Sequence, residues 1–254
     1  MDQPPVTLDV RLPNGGWATR FENEWPLART QYVKYYLDAI NPEGTGIMSL
    51  TPSGEERKTT YSADVYRGAG GSRLGCSEYG VSFVTDPLTE DVEIAGYMKL
   101  GMWVSSTSTD MDIFATLRVT DENNKEVFYN SLNSQPSPIM VGFLKVSHRK
   151  VDPGRSTVYR PHHTHLKTDY QPLNPNEKVQ VEVEIWPATA VIKKGHRIWL
   201  TIQPHDSCFA AWGGPNGAYL HAYDESYHKD AWNTIYTGGT EPSYLQLPVI
   251  PPKN

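Results

Sequence analysis

Cysteine is scarce in this sequence, since Cys76 and Cys208 are the two that the 254 residues contain. They lie far apart along the chain, which excludes a cysteine-based zinc knuckle and a CxxC redox motif. The sequence leaves a single disulfide between them open, and two lone thiols are the expectation.

Long apolar runs and basic stripes are also missing. No window approaches 18 consecutive apolar residues, and MDQPPVTLDV at the N-terminus lacks the basic region and apolar run of a signal peptide. The net charge of −6 and the pI of about 5.7 argue against nucleic acid or an anionic membrane as a partner. These absences predict a soluble, cytoplasmic protein.

Helix signals are few, whereas strand signals recur along the chain. The 20 glycines, 20 prolines, 15 tyrosines and 7 tryptophans favour many short strands joined by turns. In KVQVEVEIW (178–186) apolar and polar residues alternate, as in a strand with one buried and one wet face. Further segments rich in β-branched and aromatic residues predict strands at 6–12, 31–37, 80–85, 92–104, 113–120, 125–129, 196–203 and 243–250.

These strands predict an all-β fold in which antiparallel sheets pack into a single β-sandwich domain over residues 1–254. DENNK (121–125) is predicted as a hairpin turn, and KKG (193–195) as a turn of a similar kind. The irregular stretches at about 41–77 and 204–242 are predicted as long loops, which are usually functional in a compact domain.

Four ordered blocks of the sequence resemble the C-terminal domain of the CocE/NonD hydrolases, the family that includes cocaine esterase and is related to X-Pro dipeptidyl-peptidases. The blocks are EWPLART (24–30), VSFVTDPLTEDVEIAGYMKLGMWVSSTSTDMDIFATL (81–117), EIWPATAVIKKGHRIWLTI (184–202) and NTIYTGGTEPSYLQLPVIP (233–251). The resemblance covers nearly the whole chain. It implies a jelly-roll β-sandwich of the galactose-binding-domain-like type.

The catalytic motif of that family has no counterpart in this sequence. Its members carry an upstream α/β-hydrolase domain with a Ser–Asp–His triad and a nucleophile elbow, and no G-x-S-x-G motif is present here. No triad residue can therefore be transferred to this chain. We expect either part of a larger hydrolase or a gene product that keeps only the sandwich, and we expect no cofactor.

PHHTH (161–165) is the most conspicuous candidate site, because the whole chain has only eight histidines. On an extended chain His163 and His165 point the same way, and such a pair can chelate zinc or copper. The resemblance argues against a metal, because similar sequences carry a comparable segment and are not metalloenzymes. We interpret the segment as a loop or groove wall in which His163 and His165 contact substrate.

The second candidate is the stretch 203–232, which gathers histidines, aromatic residues and aspartates after a strand. One interpretation is an aromatic-walled pocket with a histidine as general acid or base. The other is an interface loop whose aromatic residues bury against a partner domain. For the pocket the proposed catalytic residues are His205, His221 and Asp206, and the proposed substrate-binding residues are Trp212, Tyr219 and Tyr223.

Several other residues receive structural interpretations. Cys208 could act as a nucleophile with the nearby His205, although a buried structural cysteine is the preferred interpretation. Asp110 and Asp112 in TDMDIF could hold a structural Ca²⁺, with bonding to loop backbone as the preferred alternative. His196 opens a strand and is interpreted as a structural imidazole. No metal site is therefore predicted.

Three functions remain open at this level. The first is a non-catalytic module that shapes or covers a small-molecule site belonging to a missing α/β-hydrolase domain. The second is a stand-alone enzyme of the isomerase or cyclase type, acting by general acid–base chemistry on a hydrophobic small molecule in a groove lined by His, Tyr and Trp. The third is a carbohydrate-binding module, which fold analogy and the aromatic residues suggest. Homo-oligomerisation is compatible with each.

Overall fold

The computed structural model describes residues 4–42, 44–64, 80–130, 136–205 and 225–252. Within these ranges the chain is almost entirely β-structure, with one short helix, α1 (Glu225–His228), and two 3₁₀ turns. No helix in the described part of the chain has the length and apolar character needed to cross a membrane. The strands are β1 (Val6–Arg11), β2 (Trp17–Glu22), β3 (Gln31–Asp38), β4 (Gly46–Ser49), β5 (Arg57–Ser62), β6 (Val81–Thr85), β7 (Val92–Ser106), β8 (Asp112–Thr120), β9 (Glu126–Val127), β10 (Tyr129–Asn130), β11 (Pro136–Ser137), β12 (Met140–Lys145), β13 (Val179–Ile192), β14 (Arg197–Gln203), β15 (Trp232–Thr237) and β16 (Tyr244–Ile250).

Most of the strands belong to one sheet that curves into a barrel-like structure. The strand order is β13-β12-β8-β14-β6-β4-β3-β16-β7-β15-β5, with β9 paired to β8. The ring closes because β13 pairs along its length with β7 and also meets β12 at Gly142 and Ile185. A side chain at Gly142 would place its Cβ 2.4 Å from the carbonyl oxygen of Glu184, so glycine permits this approach.

The hydrophobic core lies inside this closed sheet. Along β13 the inward residues Val181, Val183 and Ile185 are buried, whereas Gln180 is exposed, which confirms the alternation that the sequence predicts. The largest fully buried side chains include Tyr129, Phe83, Leu37, Ile94, Met98, Leu100 and Met102.

A separate hairpin of β1 and β2 packs on the outside of the sheet. Its contact with the sheet forms a second small apolar cluster, and the Arg11 guanidinium also donates to the carbonyl oxygens of Thr189 and Ile139. The cluster comprises Leu8, Val10, Leu27, Ala95 and Ile250.

The predicted strands are confirmed with boundaries shifted by a few residues, except that the strand predicted at 125–129 is split into β9 and β10. The turn at 121–125 is confirmed: the amide of Asp121 donates to Lys125, and Asn124 has a φ of 61°. The turn at 193–195 also forms, with Gly195 at a φ of 83°. It connects β13 to β14, which pair with different neighbours, so it does not close a hairpin.

The predicted long loops contain more regular structure than the sequence pattern indicates. β4 and β5 lie inside 41–77, and α1 and β15 lie inside 204–242, so both loop predictions are too long. The sequence pattern also does not predict β2 and β12. These strands are short or polar, and β5 forms because each of its residues pairs with β15, a partner far away in sequence.

Candidate functional site

The structure places three of the predicted site residues: His163, His165 and His205. The remaining ones lie outside the described residues, namely Asp206, Trp212, Tyr219, His221 and Tyr223, as do Cys76 and Cys208. Their proposed roles stay predictions.

A strap, residues 150–165, contains the PHHTH segment and lies against the outer face of the sheet. An isolated bridge joins Val151 to His163. The side-chain amide of Gln246 on β16 donates to the carbonyl oxygen of Val158 at 2.9 Å. Backbone pairing within the strap and this bond to the sheet show why the segment is ordered without being a strand of the sheet.

Tyr159 fixes the strap to the sheet by aromatic packing. Its ring stacks on Tyr32 of β3 at a centroid distance of 4.9 Å and on Tyr97 of β7 at 6.0 Å. Arg160 lies over the Tyr97 ring at 4.7 Å and pairs with Glu184 of β13 at 2.8 Å. The strap therefore contacts three strands through two neighbouring side chains.

Three imidazoles pack in a row at the end of the strap. The His165 ring lies 5.7 Å from His163 and 5.6 Å from His148, which follows β12. His165 has a φ of 49°, so the segment is not extended there and the extended geometry assumed for the H-x-H pair is wrong. Among the described residues no group of three or more His, Cys, Asp or Glu could hold a metal ion.

Burial changes the chemistry of His163. Burial, followed by the neighbouring His165, lowers the pKa of His163 to about 4, although a backbone hydrogen bond at Glu182 acts in the opposite direction. His163 is therefore neutral near pH 7. It is half-buried and His165 is exposed, which places both on the wall of a surface loop; their contact with substrate stays a prediction.

His205 lies just beyond the end of β14 and is buried. Its carbonyl oxygen accepts a hydrogen bond from the buried side-chain amide of Gln203 at 3.0 Å. Gln203 is opposite Phe114 in the sheet, so the chain after it runs toward the Asp112 end of β8. The general acid or base role of His205 stays a prediction.

A polar anchor, formed by Asp112, Lys145, Tyr227 and His228, lies at that end of β8. Lys145 of β12 is directly opposite Asp112 in the sheet, and its ammonium lies 3.2 Å from Asp112 Oδ1. The Tyr227 hydroxyl donates to Asp112 Oδ2 at 3.0 Å, and His228 Nε2 lies 3.1 Å from the same oxygen. Lys145 also donates to the Tyr227 hydroxyl. Three side chains, one from β12 and two from α1, thus converge on the carboxylate of Asp112.

The pKa values in the anchor follow from this pairing. Burial alone would raise the pKa of Asp112, but the hydrogen bond from His228 and the charge of Lys145 outweigh it, so the net direction is downward. Burial raises the pKa of Tyr227 to about 12. Near pH 7 the anchor therefore combines an ionised aspartate, a charged lysine and a neutral tyrosine.

Asp110 has a different role from Asp112. Its Oδ1 accepts the backbone amides of Met111 and Ser147, both at 2.9 Å, so it fixes the turn before β8. This supports the loop-bonding interpretation of Asp110 over a calcium ligand. Lys145 lies 3.2 Å from Asp112 and 4.0 Å from Asp110, and a cation site would not contain a lysine.

Sequence reasoning finds the anchor only in part. Asp112 stands out in its motif, and Tyr227 and His228 lie in the histidine-rich stretch 203–232. Lys145 carries no signal of its own, because its pairing with Asp112 depends on the register of β12 and β8.

Comparison with known proteins agrees with this architecture. A family model described as the X-Pro dipeptidyl-peptidase C-terminal non-catalytic domain matches residues 1–246. The crystal structure of a CocE/NonD family hydrolase from Staphylococcus aureus is 26% identical with a TM-score of 0.82, covering 98% of this chain and 42% of that one. Cocaine esterase from a Rhodococcus species is 23% identical over 252 residues, covering 91% of this chain and 40% of that protein.

A more distant structure shows the fold alone. An aminopeptidase from a marine-sediment thaumarchaeote has a TM-score of 0.64 at 14% identity, and the alignment covers 99% of this chain and 41% of that one. Two mycobacterial relatives are 24% identical over 219 residues, covering 74% of this chain and 32% of each relative. The chain thus spans about a third to two fifths of the proteins that it matches. Because the family model covers nearly all of its length, this chain belongs to the family of X-Pro dipeptidyl-peptidase C-terminal non-catalytic domains.

Proposed function

We propose that the chain acts as the non-catalytic C-terminal sandwich of a CocE/NonD-type hydrolase and shapes or covers a small-molecule site on an α/β-hydrolase domain. The observation that carries this proposal is the alignment of the chain, at 98% coverage, with 42% of the Staphylococcus aureus hydrolase. The barrel-like sheet, in which strands distant in sequence lie side by side, supports the finer assignment of a jelly-roll, galactose-binding-like fold.

Exposed aromatic side chains support a docking role. Phe143 and Trp186, on neighbouring strands, are 39% and 42% exposed, and their rings lie 5.8 Å apart. Trp17 and Phe21 on the outer face of the β1–β2 hairpin are 45% and 60% exposed. These exposed aromatic pairs are the candidate contacts with the hydrolase domain in this proposal.

The polar anchor supports the covering role. His205, just beyond β14, is the last described residue before 206–224, and α1 follows that stretch and binds Asp112 through Tyr227 and His228. The intervening segment carries the predicted pocket residues, so the sandwich fixes the position at which that segment returns. Within the anchor itself the charged groups pair with one another, which suits a structural clamp better than a general acid–base centre.

A chimaera tests the proposal. The Staphylococcus aureus hydrolase is truncated to remove the region that aligns with this chain, and this chain is fused in its place. We expect the chimaera to hydrolyse a p-nitrophenyl ester faster than the truncated enzyme and to react with a fluorophosphonate probe. Equal rates for the chimaera and the truncated enzyme, with both folded, would overturn the proposal.

The isolated chain provides the complementary measurement. We expect no fluorophosphonate labelling, since no described residue forms a serine triad and the sequence has no nucleophile elbow. Labelling of the isolated chain at a serine would contradict a non-catalytic role.

The stand-alone enzyme hypothesis makes a separate prediction. Activity should fall in His205→Asn or His221→Asn with folding intact, and unchanged rates in both variants would exclude this hypothesis. Calorimetric titration with sugars tests the carbohydrate-binding hypothesis, and the absence of sugar binding would exclude it.

A further inference from the structure

The strap, residues 150–165, is attached to the sheet at two places of different chemistry. In its middle, the Tyr159 ring stacks on two tyrosines of the sheet. Toward its end, the half-buried His163 ring hydrogen-bonds to the backbone of Glu182 on β13. The second attachment therefore places a titratable ring where the strap meets the sheet.

His163 belongs to the row of three imidazoles at this end of the strap. The ring centroids of His163 and His165 lie 5.7 Å apart, and those of His165 and His148 lie 5.6 Å apart. Two positive charges at such distances repel each other, and the repulsion is stronger for a half-buried ring because less water screens it. Protonation of His163 together with a neighbour therefore opposes the packed arrangement.

The charged groups around the row do not compensate for an added proton. Three carboxylates of the neighbouring elements already pair with cations. These pairs are Lys99–Glu182, Arg160–Glu184 and Lys150–Asp169, with N–O distances of 2.6, 2.8 and 2.6 Å. The other charged or titratable groups of the strap, its flanks and the strands beneath it are Arg149, Asp152, Arg155, His162, Lys167, Tyr170, Tyr32 and Tyr97. Together these groups include more basic residues than acidic ones, so a proton on the row adds to an excess of positive charge.

We propose that the strap is released by acid: protonation of the imidazole row detaches residues 150–165 from the sheet while the closed sheet stays folded. Release separates His163 from His165 and uncovers the tyrosine rings on which Tyr159 stacks. The sheet can persist because the strap is not one of its strands, and the bridge from Val151 to His163 lies within the strap itself. Release requires no hydrolase domain, so this proposal stands or falls separately from the proposed function.

Proton linkage sets the size of the expected effect. In the attached strap the pKa of His163 is lowered from its ordinary 6.5 to about 4, first by burial and then by His165, and release restores the ordinary value. The attached state is therefore favoured fully above pH 6.5 and progressively less as the pH falls toward 4. The ratio of released to attached strap should increase up to about twentyfold between pH 7 and pH 5.

Hydrogen exchange of the full chain at pH 7, 6 and 5 tests the proposal, with each rate corrected for the intrinsic exchange rate at that pH. The informative amides are those of Asp152, which donates to His162 at 2.7 Å, and Thr164, which donates to Lys150 at 3.0 Å. A two-stranded segment without further packing is marginal in water, so release exposes both amides. We expect their protection factors to fall by up to about twentyfold at pH 5, while the amides of β13 that pair with β7 keep theirs.

Two variants separate the row from other titrating groups. His163→Gln removes the ring that takes up the proton and keeps an N–H group for Glu182, so the protection of the strap should become independent of pH. His165→Asn removes the neighbouring imidazole at an exposed position, where asparagine tolerates the φ of 49°. It should weaken the pH response, because His165 contributes to the lowered pKa of His163.

His196→Gln is the matched control, since it removes an imidazole just before β14 and outside the row. It should leave the pH response of the strap as in the unmodified chain. If His163→Gln releases the strap at pH 7 as well, His165→Asn decides the question, and an unchanged pH response in that variant overturns the proposal.

Two results with the unmodified chain would also overturn it. The first is a constant protection of the Asp152 and Thr164 amides between pH 7 and pH 5. The second is an equal loss of protection in the strap and in β13, which would mean that acid destabilises the whole fold rather than releasing one segment.

Discussion

The polar anchor and the strap both place histidines against the sheet, but the two imidazole environments differ. In the anchor His228 Nε2 lies 3.1 Å from the Asp112 carboxylate. In the strap His163 Nε2 is buried with no hydrogen-bond partner among the described residues, and burial keeps that ring neutral. The same side chain therefore lies beside a carboxylate in one region and acts as a packed, uncharged ring in the other.

This difference predicts how each region responds to mutation and to acid. The anchor depends on a carboxylate whose partners would become uncompensated if it were removed. The strap depends mainly on ring packing, and its pairs of Arg160 with Glu184 and of Lys150 with Asp169 are partly exposed. Charge-removing mutations should consequently affect the anchor most, and ring-removing mutations the strap.

Asp112→Ala should produce the largest effect. It leaves Lys145 and His228 without their carboxylate, and breaking a buried pair in this way costs about 3 to 5 kcal/mol of unfolding free energy. Because the Lys145 side chain is 37% exposed and can turn toward water, we expect a loss near about 3 kcal/mol. Urea denaturation followed by circular dichroism measures it.

The control for this variant is Asp9→Ala, which removes an exposed carboxylate bonded to Thr19 on the β1–β2 hairpin. It should change the unfolding free energy by less than about 0.5 kcal/mol. Similar losses for the two variants would mean that the anchor is no more important than a surface contact.

Tyr159→Ala tests the strap and should have the next largest effect. It removes the ring that stacks on Tyr32 and Tyr97, and loss of a half-buried aromatic side chain should cost about 2 kcal/mol. Tyr159→Phe keeps the ring and should retain nearly all of the stability. Hydrogen exchange at the amides of 150–165 should accelerate in the alanine variant alone, and uniform acceleration across the sheet would contradict a local role.

The two regions also differ in how far the sequence predicts them. The alternation in β13 predicts a one-sided strand, and β13 is found with that burial pattern. The anchor cannot be found in this way, because Tyr227 and Asp112 are separated by 115 positions and meet only through the fold. The strap is singled out by its histidines, yet its fixing residue, Tyr159, lies just outside PHHTH and carries no distinctive pattern.

The same reasoning explains why the two predicted loops are too long. β5 reads RKTTYS, a polar run without strong periodicity, and it is a strand because β15 supplies its hydrogen bonds. Local propensity is weak for such a segment, and pairing with a distant strand decides its structure. Groupings that depend on distant pairings, such as Lys145 with Asp112, cannot be predicted from the sequence for the same reason.

Lowering the pH should destabilise the strap and the anchor in different pH ranges. Since the pKa of His163 falls from its ordinary 6.5 to about 4, the fold favours the neutral ring. The stabilisation that comes from the neutral His163 ring is complete above pH 6.5. It decreases as the pH drops toward 4 and does not change further below that pH. With partial solvent screening we expect a loss of about 1 to 2 kcal/mol across this window.

Asp112 affects the unfolding free energy in a different pH range. Its pKa is lowered, so its contribution is present above the ordinary aspartate value of 3.8 and is lost only as the pH falls further, through the lowered value. Denaturation curves from pH 7 to below pH 3 measure the upper window completely and enter the lower one. His163→Gln should flatten the upper window and leave the lower one, and an unchanged upper window would show that another group titrates there.

Lys150→Met should have the smallest effect, although Lys150 makes a short contact at the edge of the strap. Its ammonium lies 2.6 Å from Asp169, but the lysine side chain is 48% exposed, so water and salt screen the pair. We expect no measurable shift in the urea midpoint at 0.15 M salt, because methionine retains the apolar stem and the Tyr159 stack still fixes the strap. A clear loss of stability, abolished by high salt, would instead show that ion pairing contributes to the strap, and the contrast between a charged anchor and a ring-packed strap would then fail.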